Sequence, residues 1–214
     1  MTTAVQPCFD PATADTFNNV PLVAHSREAA GPVHALSASG ALHRSGTLTV
    51  EFELRGDLQS IRLLPSVCQP RRRDELWKRT CFELFARHRS GPRYCEFNFS
   101  ACGDWAAYVF DSYRGTRHDA EQRPLEISVL TTARQQIRLR ARMDLRAAYA
   151  GGAEEFELAG WRLNCAAVIE NAEGTLSHWA VRHPRPRPDF HDTEGFAICL
   201  DGAVAACDPQ VMPS

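Results

Sequence analysis

One short segment of the chain carries aromatic, carboxylate and amide side chains at the spacing of a β-strand. In residues 94–99, YCEFNF, alternation places Tyr94, Glu96 and Asn98 on one face and apolar side chains on the other. Glu83 lies between two apolar residues of the preceding segment and is expected to neighbour that row. Aromatic rings hold the apolar face of a sugar, and carboxylates and amides bind its hydroxyl groups. The row is therefore a candidate carbohydrate site, although its spacing alone favours a solvated sheet face with cross-strand polar pairs.

Two tryptophans close to this row are candidate stacking platforms. Trp77 precedes the segment that contains Glu83, and Trp105 follows the polar row. For each tryptophan the alternative is a place in the core, because large aromatic side chains dominate the cores of β-sandwiches. The predicted ligand-binding residues are Trp77, Glu83, Tyr94, Glu96, Asn98 and Trp105.

The two glutamates are also a candidate pair for catalysis. Glycoside hydrolysis uses two carboxyl groups roughly 5–10 Å apart that flank the scissile bond, and neighbouring strands permit such a separation. The sequence contains no nucleophile elbow, phosphate loop or zinc motif. Because adjacent acids are common on sheets, these patterns favour a binding protein without catalytic activity.

Three histidines, His178, His183 and His191, fall close together in the sequence near Trp179 and Phe190. Imidazole nitrogens bind metals and haem iron, so these residues are candidate ligands. The alternative for His191 is a histidine that packs in a loop and bonds a carbonyl group. The sequence favours this alternative and predicts no metal and no cofactor.

The elements that position these residues are predicted to be β-strands. Strict alternation in residues 47–54, TLTVEFEL, indicates a strand with one solvated face. Seven further strands are predicted at residues 81–86, 94–99, 106–110, 125–131, 136–143, 162–169 and 176–181. Turn residues separate the strands, and only residues 145–150 have a helical pattern. The chain is therefore predicted to be an all-β protein, a single-domain antiparallel β-sandwich with a jelly-roll-like arrangement.

The domain is predicted to cover residues 20–200. Residues 1–19 and 201–214 are expected to be loose termini. The proline-rich stretch at residues 183–188 is expected to be an extended surface connection.

Composition excludes several functional classes. The 214 residues carry a net charge of −2, so no overall field attracts nucleic acid or anionic lipid. Apolar runs are too short to span a membrane, and the amino terminus lacks the basic and apolar regions of a secretory signal. We expect a cytoplasmic protein whose partner is a small molecule or glycan, with neither nucleic acid nor a membrane as partner.

Eight cysteines occur without a CxxC pair, which disfavours a zinc site. They are expected to be reduced and mostly buried as small apolar residues. A stripe of arginines at Arg138, Arg140 and Arg142 could hold an anionic ligand, but such a stripe more often pairs with acids of a neighbouring strand.

Several of these segments occur together in an order that resembles a known family. The chain contains LWKRTCFELF at residues 76–85, YCEFNFS at residues 94–100 and GDWAAY at residues 103–108. Shorter agreements are LN at 163–164, AVIE at 167–170, GTLSHW at 174–179, HP at 183–184 and PDFH at 188–191. From about residue 22 to residue 196 the chain is similar to the bacterial DOMON-like family.

This family resembles DOMON domains and family 9 carbohydrate-binding modules in fold, which implies a jelly-roll-like sandwich whose relatives bind sugars or haem. Haem-binding DOMON domains are expected to use a methionine and a histidine. Alternation places Met143 with core residues, and Met212 lies close to the end of the chain. The resemblance does not identify the ligand, and the positions of the two methionines favour a carbohydrate over haem. A haem-binding or redox domain and a structural or interaction module remain the alternatives.

Overall fold

The computed structural model describes residues 14–26, 31–64, 70–120, 124, 126–132, 135–150, 157 and 159–201. One α-helix, α1 (Leu145–Ala150), and thirteen strands occur in these ranges. The strands are β1 (Ala14–Pro21), β2 (Val23–Ala24), β3 (Val33–His43), β4 (Thr47–Gly56), β5 (Cys81–His88), β6 (Tyr94–Phe99), β7 (Trp105–Phe110), β8 (Arg117–Asp119), β9 (Glu126–Thr132), β10 (Gln136–Asp144), β11 (Trp161–Glu170), β12 (Leu176–Ala180) and β13 (Ile198–Leu200). Single 3₁₀ turns lie at Leu58–Ser60, Leu76–Lys78 and Thr193–Gly195.

The strands form two antiparallel sheets. The smaller sheet has the order β1-β3-β4-β10-β9, and the larger has the order β2-β12-β11-β5-β6-β7-β8, with β13 paired to β11. This arrangement confirms the predicted all-β sandwich. The segment 1–19 is not wholly a loose terminus, because β1 begins at Ala14 and pairs with β3. Residues 1–13 and 202–214 lie outside the described ranges.

Apolar side chains of both sheets meet in one core. Phe52 of the smaller sheet packs against Phe82 of the larger one, with ring centroids 5.4 Å apart. Met143 is buried in the same core, as its alternation predicts. Each fully buried Leu, Met or Phe side chain stabilises the fold by about 1.5–3 kcal/mol relative to an exposed one, so this layer holds the sheets together. Within the described residues no helix has the length and apolar character needed to cross a membrane.

The described cysteines agree only in part with the expectation of reduced, buried thiols. Cys81, Cys95, Cys102 and Cys165 are free and buried. Cys199 is disulfide-bonded, which corrects the expectation that every cysteine is reduced.

Candidate functional site

The outer face of the larger sheet carries the polar row that the sequence predicts. Strands β5 and β6 pair so that Glu83 lies directly opposite Asn98, and Phe85 lies opposite Glu96. Glu83 and Glu96 are therefore diagonal neighbours on one face of the sheet, and side chains in such positions interact. Alternation turns the residues between them, such as Leu84, into the core.

Both glutamates are buried, although they lie on an outer face. Glu83 is 3% exposed and Glu96 is 4% exposed. Burial raises the pKa of Glu83 well above its ordinary range, and the negative charge of Glu96 raises it further. Burial also raises the pKa of Glu96, to about 7, although a hydrogen bond from Asn98 opposes the effect. Both shifts favour a protonated carboxyl group over two charged carboxylates in this buried pair.

Hydrogen-bond donors are scarce at this pair. Asn98 Nδ2 donates to Glu96 Oε1 at 2.7 Å. Glu83 Oε1 and Asn98 Oδ1 are buried, and among the described residues neither atom has a hydrogen-bond partner. A buried polar atom without a partner costs about 1–3 kcal/mol. The floor formed by these side chains is thus rich in acceptors that a ligand with O–H or N–H groups would satisfy.

His191 lies next to the pair and is held by Tyr94. The Tyr94 hydroxyl is 2.7 Å from His191 Nδ1, and His191 Nε2 is 3.9 Å from Glu96 Oε2. Burial lowers the pKa of His191 to about 4, and the charge of Arg114 lowers it further. The imidazole is consequently neutral at pH 7. It adds no positive charge to the two glutamates.

A segment at residues 183–196, which we call the cover segment, folds over this face of the sheet. Asn164 Nδ2 on β11 donates to the carbonyl oxygen of Phe190 at 3.0 Å. Asp192 accepts from the backbone N–H of Glu194 and forms an ion pair with Arg185. The stretch predicted to be a surface connection lies at the start of this segment, and the residues that follow it bury the polar row.

The connection between β7 and β8 completes the rim. Arg114 Nη2 forms an ion pair with Asp189 Oδ1 of the cover segment at 2.8 Å, and the Tyr113 hydroxyl donates to Asp189 Oδ2 at 2.6 Å. Arg114 has a φ of 47°, in the left-handed region of the backbone. Left-handed backbone in a residue other than glycine is retained only where the surroundings hold it. Here the ion pair and a bond from the Arg114 N–H to the Tyr94 hydroxyl hold it.

These segments enclose a cavity of about 360 Å³ above the two glutamates. Pockets that hold small ligands measure roughly 300–1,000 Å³, so the cavity suits a ligand the size of one sugar. The walls combine aromatic, charged and polar side chains. The lining residues are Trp77, Glu83, Glu96, Phe110, Arg114, Arg117, Val168, His178, Pro188, Asp189, Phe190 and His191.

The structure brings together most of the predicted site residues. Trp77, Glu83 and Glu96 line the cavity, and Tyr94 and Asn98 contact lining residues from positions that are themselves buried. Tyr94 is buried and hydrogen-bonds His191, and its predicted role as a ligand-binding residue stays a prediction. Trp105 lies in the core between the sheets, so its predicted role as a stacking platform is wrong.

Sequence reasoning missed the residues that come from connections. Arg114, Asp189 and Phe190 lie in connections, where alternation carries no information about direction, and Phe110 and Arg117 are the last residue of β7 and the first residue of β8. Phe190 and His191 do belong to the PDFH stretch that the family resemblance singled out. Among the described residues no group of three or more His, Cys, Asp or Glu side chains is placed to hold a metal.

The fold and the site define an antiparallel β-sandwich with a cavity on the outer face of its larger sheet. No family model matches the chain, and no curated protein does. The fold is similar to the crystal structure of a protein from Bacteroides uniformis that is provisionally named a carbohydrate-binding protein. The TM-score is 0.59, the identity is 16%, and the match covers 82% of each chain. This likeness extends to the fold, and the resemblance to the DOMON-like family stays a prediction.

Proposed function

We propose that this protein is a non-catalytic binding module that holds a carbohydrate or glycan fragment in the cavity of the larger sheet. The observation that carries the proposal is the floor of buried acceptors, Glu83 and Glu96, beneath aromatic walls. Hydroxyl groups of a sugar would donate to these acceptors, and Trp77 and Phe110 would contact its apolar face. The provisional name of the Bacteroides uniformis protein agrees with this chemistry.

The positions of the two carboxyl groups favour binding over hydrolysis. Glu83 and Glu96 come from neighbouring strands and project from the same sheet face. Both would therefore lie on one side of a ligand in the cavity. Glycosidases place their two carboxyl groups on either side of the scissile bond, so this pair suits recognition of hydroxyl groups better than bond cleavage.

A haem bound by a methionine and a histidine has less support. Met143 faces the core between the sheets, whereas His178 and His191 line the cavity on the opposite side of the larger sheet. These side chains do not face a common space. Met212 lies outside the described residues.

The proposal is tested by calorimetric titration against a panel of monosaccharides and small glycans. We expect one class of sugar to bind, and we expect Trp77→Ala and Glu96→Gln each to weaken its binding at least about tenfold, which corresponds to 1.4 kcal/mol. Leu130→Ala is the matched control, because Leu130 is an exposed residue of β9 in the smaller sheet. Absence of binding across the panel, or equal affinity of Glu96→Gln and the unaltered protein, would contradict the proposal.

A further inference from the structure

The buried carboxyl groups of the described residues fall into two groups. Three of them form an ion pair with an arginine. The pairs are Asp104 with Arg73 at 3.1 Å, Glu170 with Arg79 at 3.2 Å, and Asp192 with Arg185. Glu83 and Glu96 are buried to the same degree. Yet within the described residues neither forms an ion pair with an arginine or a lysine. Among the described residues, each buried acid therefore has an arginine partner except the two that line the cavity.

The neighbours of the pair do not make up for this lack. His191 faces Glu96 from the cover segment but is neutral, because burial lowers its pKa to about 4. Arg114 is engaged by Asp189 of the same segment. The guanidinium group of Arg117 lies over the ring of Tyr108, 4.5 Å from the ring centroid. Arg117 is exposed to solvent.

Three other titratable side chains lie on this face of the larger sheet. They are His178 on β12, Tyr94 on β6 and Cys81 on β5. The charges of Arg117 and Arg114 lower the pKa of Glu96, whereas the pKa of Glu83 is set by burial and by Glu96. The two arginines therefore offset part of the charge of Glu96, and among the described residues no arginine or lysine is paired with Glu83.

We infer that the ligand carries a protonated amine, as an amino sugar does, and that this ammonium group lies at Glu83 and Glu96. The inference rests on the proposed function and specifies its substrate class. An ammonium group supplies three N–H donors, and Glu83 Oε1 and Asn98 Oδ1 are buried acceptors without a partner among the described residues. The rings of Trp77, Phe110 and Phe190 line the same cavity, and aromatic faces attract ammonium groups.

Binding of this ammonium group is expected to displace a proton from the two carboxyl groups. The carboxylic acid of Glu83 releases its proton to solvent and becomes a carboxylate beside the ligand's ammonium group, which keeps its own protons. At most one proton is released for each ligand bound. Affinity should then rise with pH by up to about tenfold per unit between pH 5 and pH 7, while the ligand's amine stays protonated.

The test uses glucosamine, N-acetylglucosamine and glucose, which differ at one ring position, together with cyclohexylamine as an amine without hydroxyl groups. Isothermal titration at pH 7 should show glucosamine binding at least about tenfold more tightly than the two neutral sugars. The measured enthalpy should change with the ionisation enthalpy of the buffer for glucosamine and not for glucose. Glu83→Gln should abolish both the preference and the proton release, and Glu53→Gln on the smaller sheet is the matched control.

The other outcomes would contradict the amine inference, the proposed carbohydrate function or both. Equal binding of all three sugars would overturn the amine inference and leave the proposed function in place. Binding of cyclohexylamine without any sugar would support the amine and contradict the carbohydrate. Failure of all four compounds at millimolar concentrations would overturn the inference. Tight binding of glucosamine that Glu83→Gln leaves unchanged would place the ammonium group elsewhere and overturn it as well.

Discussion

The outer faces of the two sheets begin from the same sequence pattern and end in opposite environments. On the smaller sheet, Glu53 lies opposite Arg138 across β4 and β10, and their side chains form an ion pair of 2.8 Å at the surface. On the larger sheet, Glu83 lies opposite Asn98 and Ala166, neither of which carries a charge. The glutamate on the smaller sheet is therefore solvated and forms an ion pair, whereas the glutamate on the larger sheet is buried and has no charged residue opposite it.

This difference shows that burial on an outer face is decided by the connections. The cover segment and the turn around Trp77 lie over β5, β6 and β11, whereas the face of β4 and β10 has charged side chains at the surface. An acid under such a cover loses water and must be neutralised by a proton or by a cation. The same residue type is therefore structural on one sheet and available to a ligand on the other.

The largest predicted difference between the two faces concerns packing. Phe85 projects from the outer face of β5 and contacts Phe190, Phe196 and His191 of the cover segment. Phe85→Ala should lower the free energy of unfolding by about 4 kcal/mol, because a cavity replaces a fully buried ring. Arg142→Ala, on the outer face of β10, should lower it by less than about 1 kcal/mol. Urea unfolding measures both values, and similar losses for the two variants would contradict the comparison.

The next difference is the pH dependence of stability, which should have opposite signs on the two faces. Burial raises the pKa of Glu96 from its ordinary value of 4.5 to about 7, and a difference of this size corresponds to about 3 kcal/mol. Because the folded pKa is raised, stability is greatest below pH 4.5 and falls as the pH rises to 7. Glu96→Gln should remove this fall, as measured by unfolding at pH 4.5 and pH 7.5.

The contribution of Glu53 to stability should change with pH in the opposite direction to that of Glu96. Burial alone would raise its pKa, but hydrogen bonds from Arg138 and Arg55 outweigh burial and lower the pKa below 4.5. Its contribution is therefore present above pH 4.5 and is lost as the pH falls. Glu53→Gln should reduce stability at pH 7 and matter less in acid. A wild-type protein that becomes more stable between pH 4.5 and pH 7, with Glu96→Gln unchanged, would refute the assignment of a retained proton.

A third, smaller difference concerns single hydrogen bonds. The Tyr94 hydroxyl bonds His191 beneath the cover segment at 2.7 Å, so Tyr94→Phe leaves a buried imidazole nitrogen without its partner. We expect a loss of about 1–2 kcal/mol in the free energy of unfolding. Thr47→Val on β4 removes an exposed bond to Ser45 of 3.0 Å and should cost less than about 0.5 kcal/mol. Equal losses would show that the cover segment does not exclude water from His191.

Alternation was sufficient to predict the strands with one polar and one apolar face. Residues 94–99 and the helix at residues 145–150 were predicted with the bounds that the structure has. Strand β3 was missed because its run of Ala, Ser and Gly gives no contrast between faces. Trp105 was misplaced because every residue of β7 is apolar, so its alternation did not reveal that Trp105 shares the inward phase of Ala107 and Val109.

The site was predictable only where it lies on strands. The alternation of β5 and β6 placed Glu83 and Glu96 on one face, which the pairing of these strands confirms. Their burial depends on the cover segment, whose position follows from contacts with residues far away in the sequence, such as the bond from Asn164 to Phe190. The charge that distinguishes the two faces also depends on pairing, because an arginine opposite Glu53 stabilises a carboxylate and an alanine opposite Glu83 does not.

The smallest predicted effect is a difference between the two faces in how the free energy of unfolding depends on salt concentration. Arg138 lies 2.8 Å from Glu53 and 3.5 Å from Glu51, and all three side chains are partly exposed. Arg138→Ala should cost less than about 1 kcal/mol in 0.1 M NaCl, and this cost should shrink in 1 M NaCl, where the screening length is about 3 Å. The fall in stability between pH 4.5 and pH 7 that we attribute to Glu96 should persist in 1 M NaCl, because screening is weak for buried groups. If high salt removed that fall as well, the carboxyl groups of the larger sheet would be as solvated as those of the smaller one.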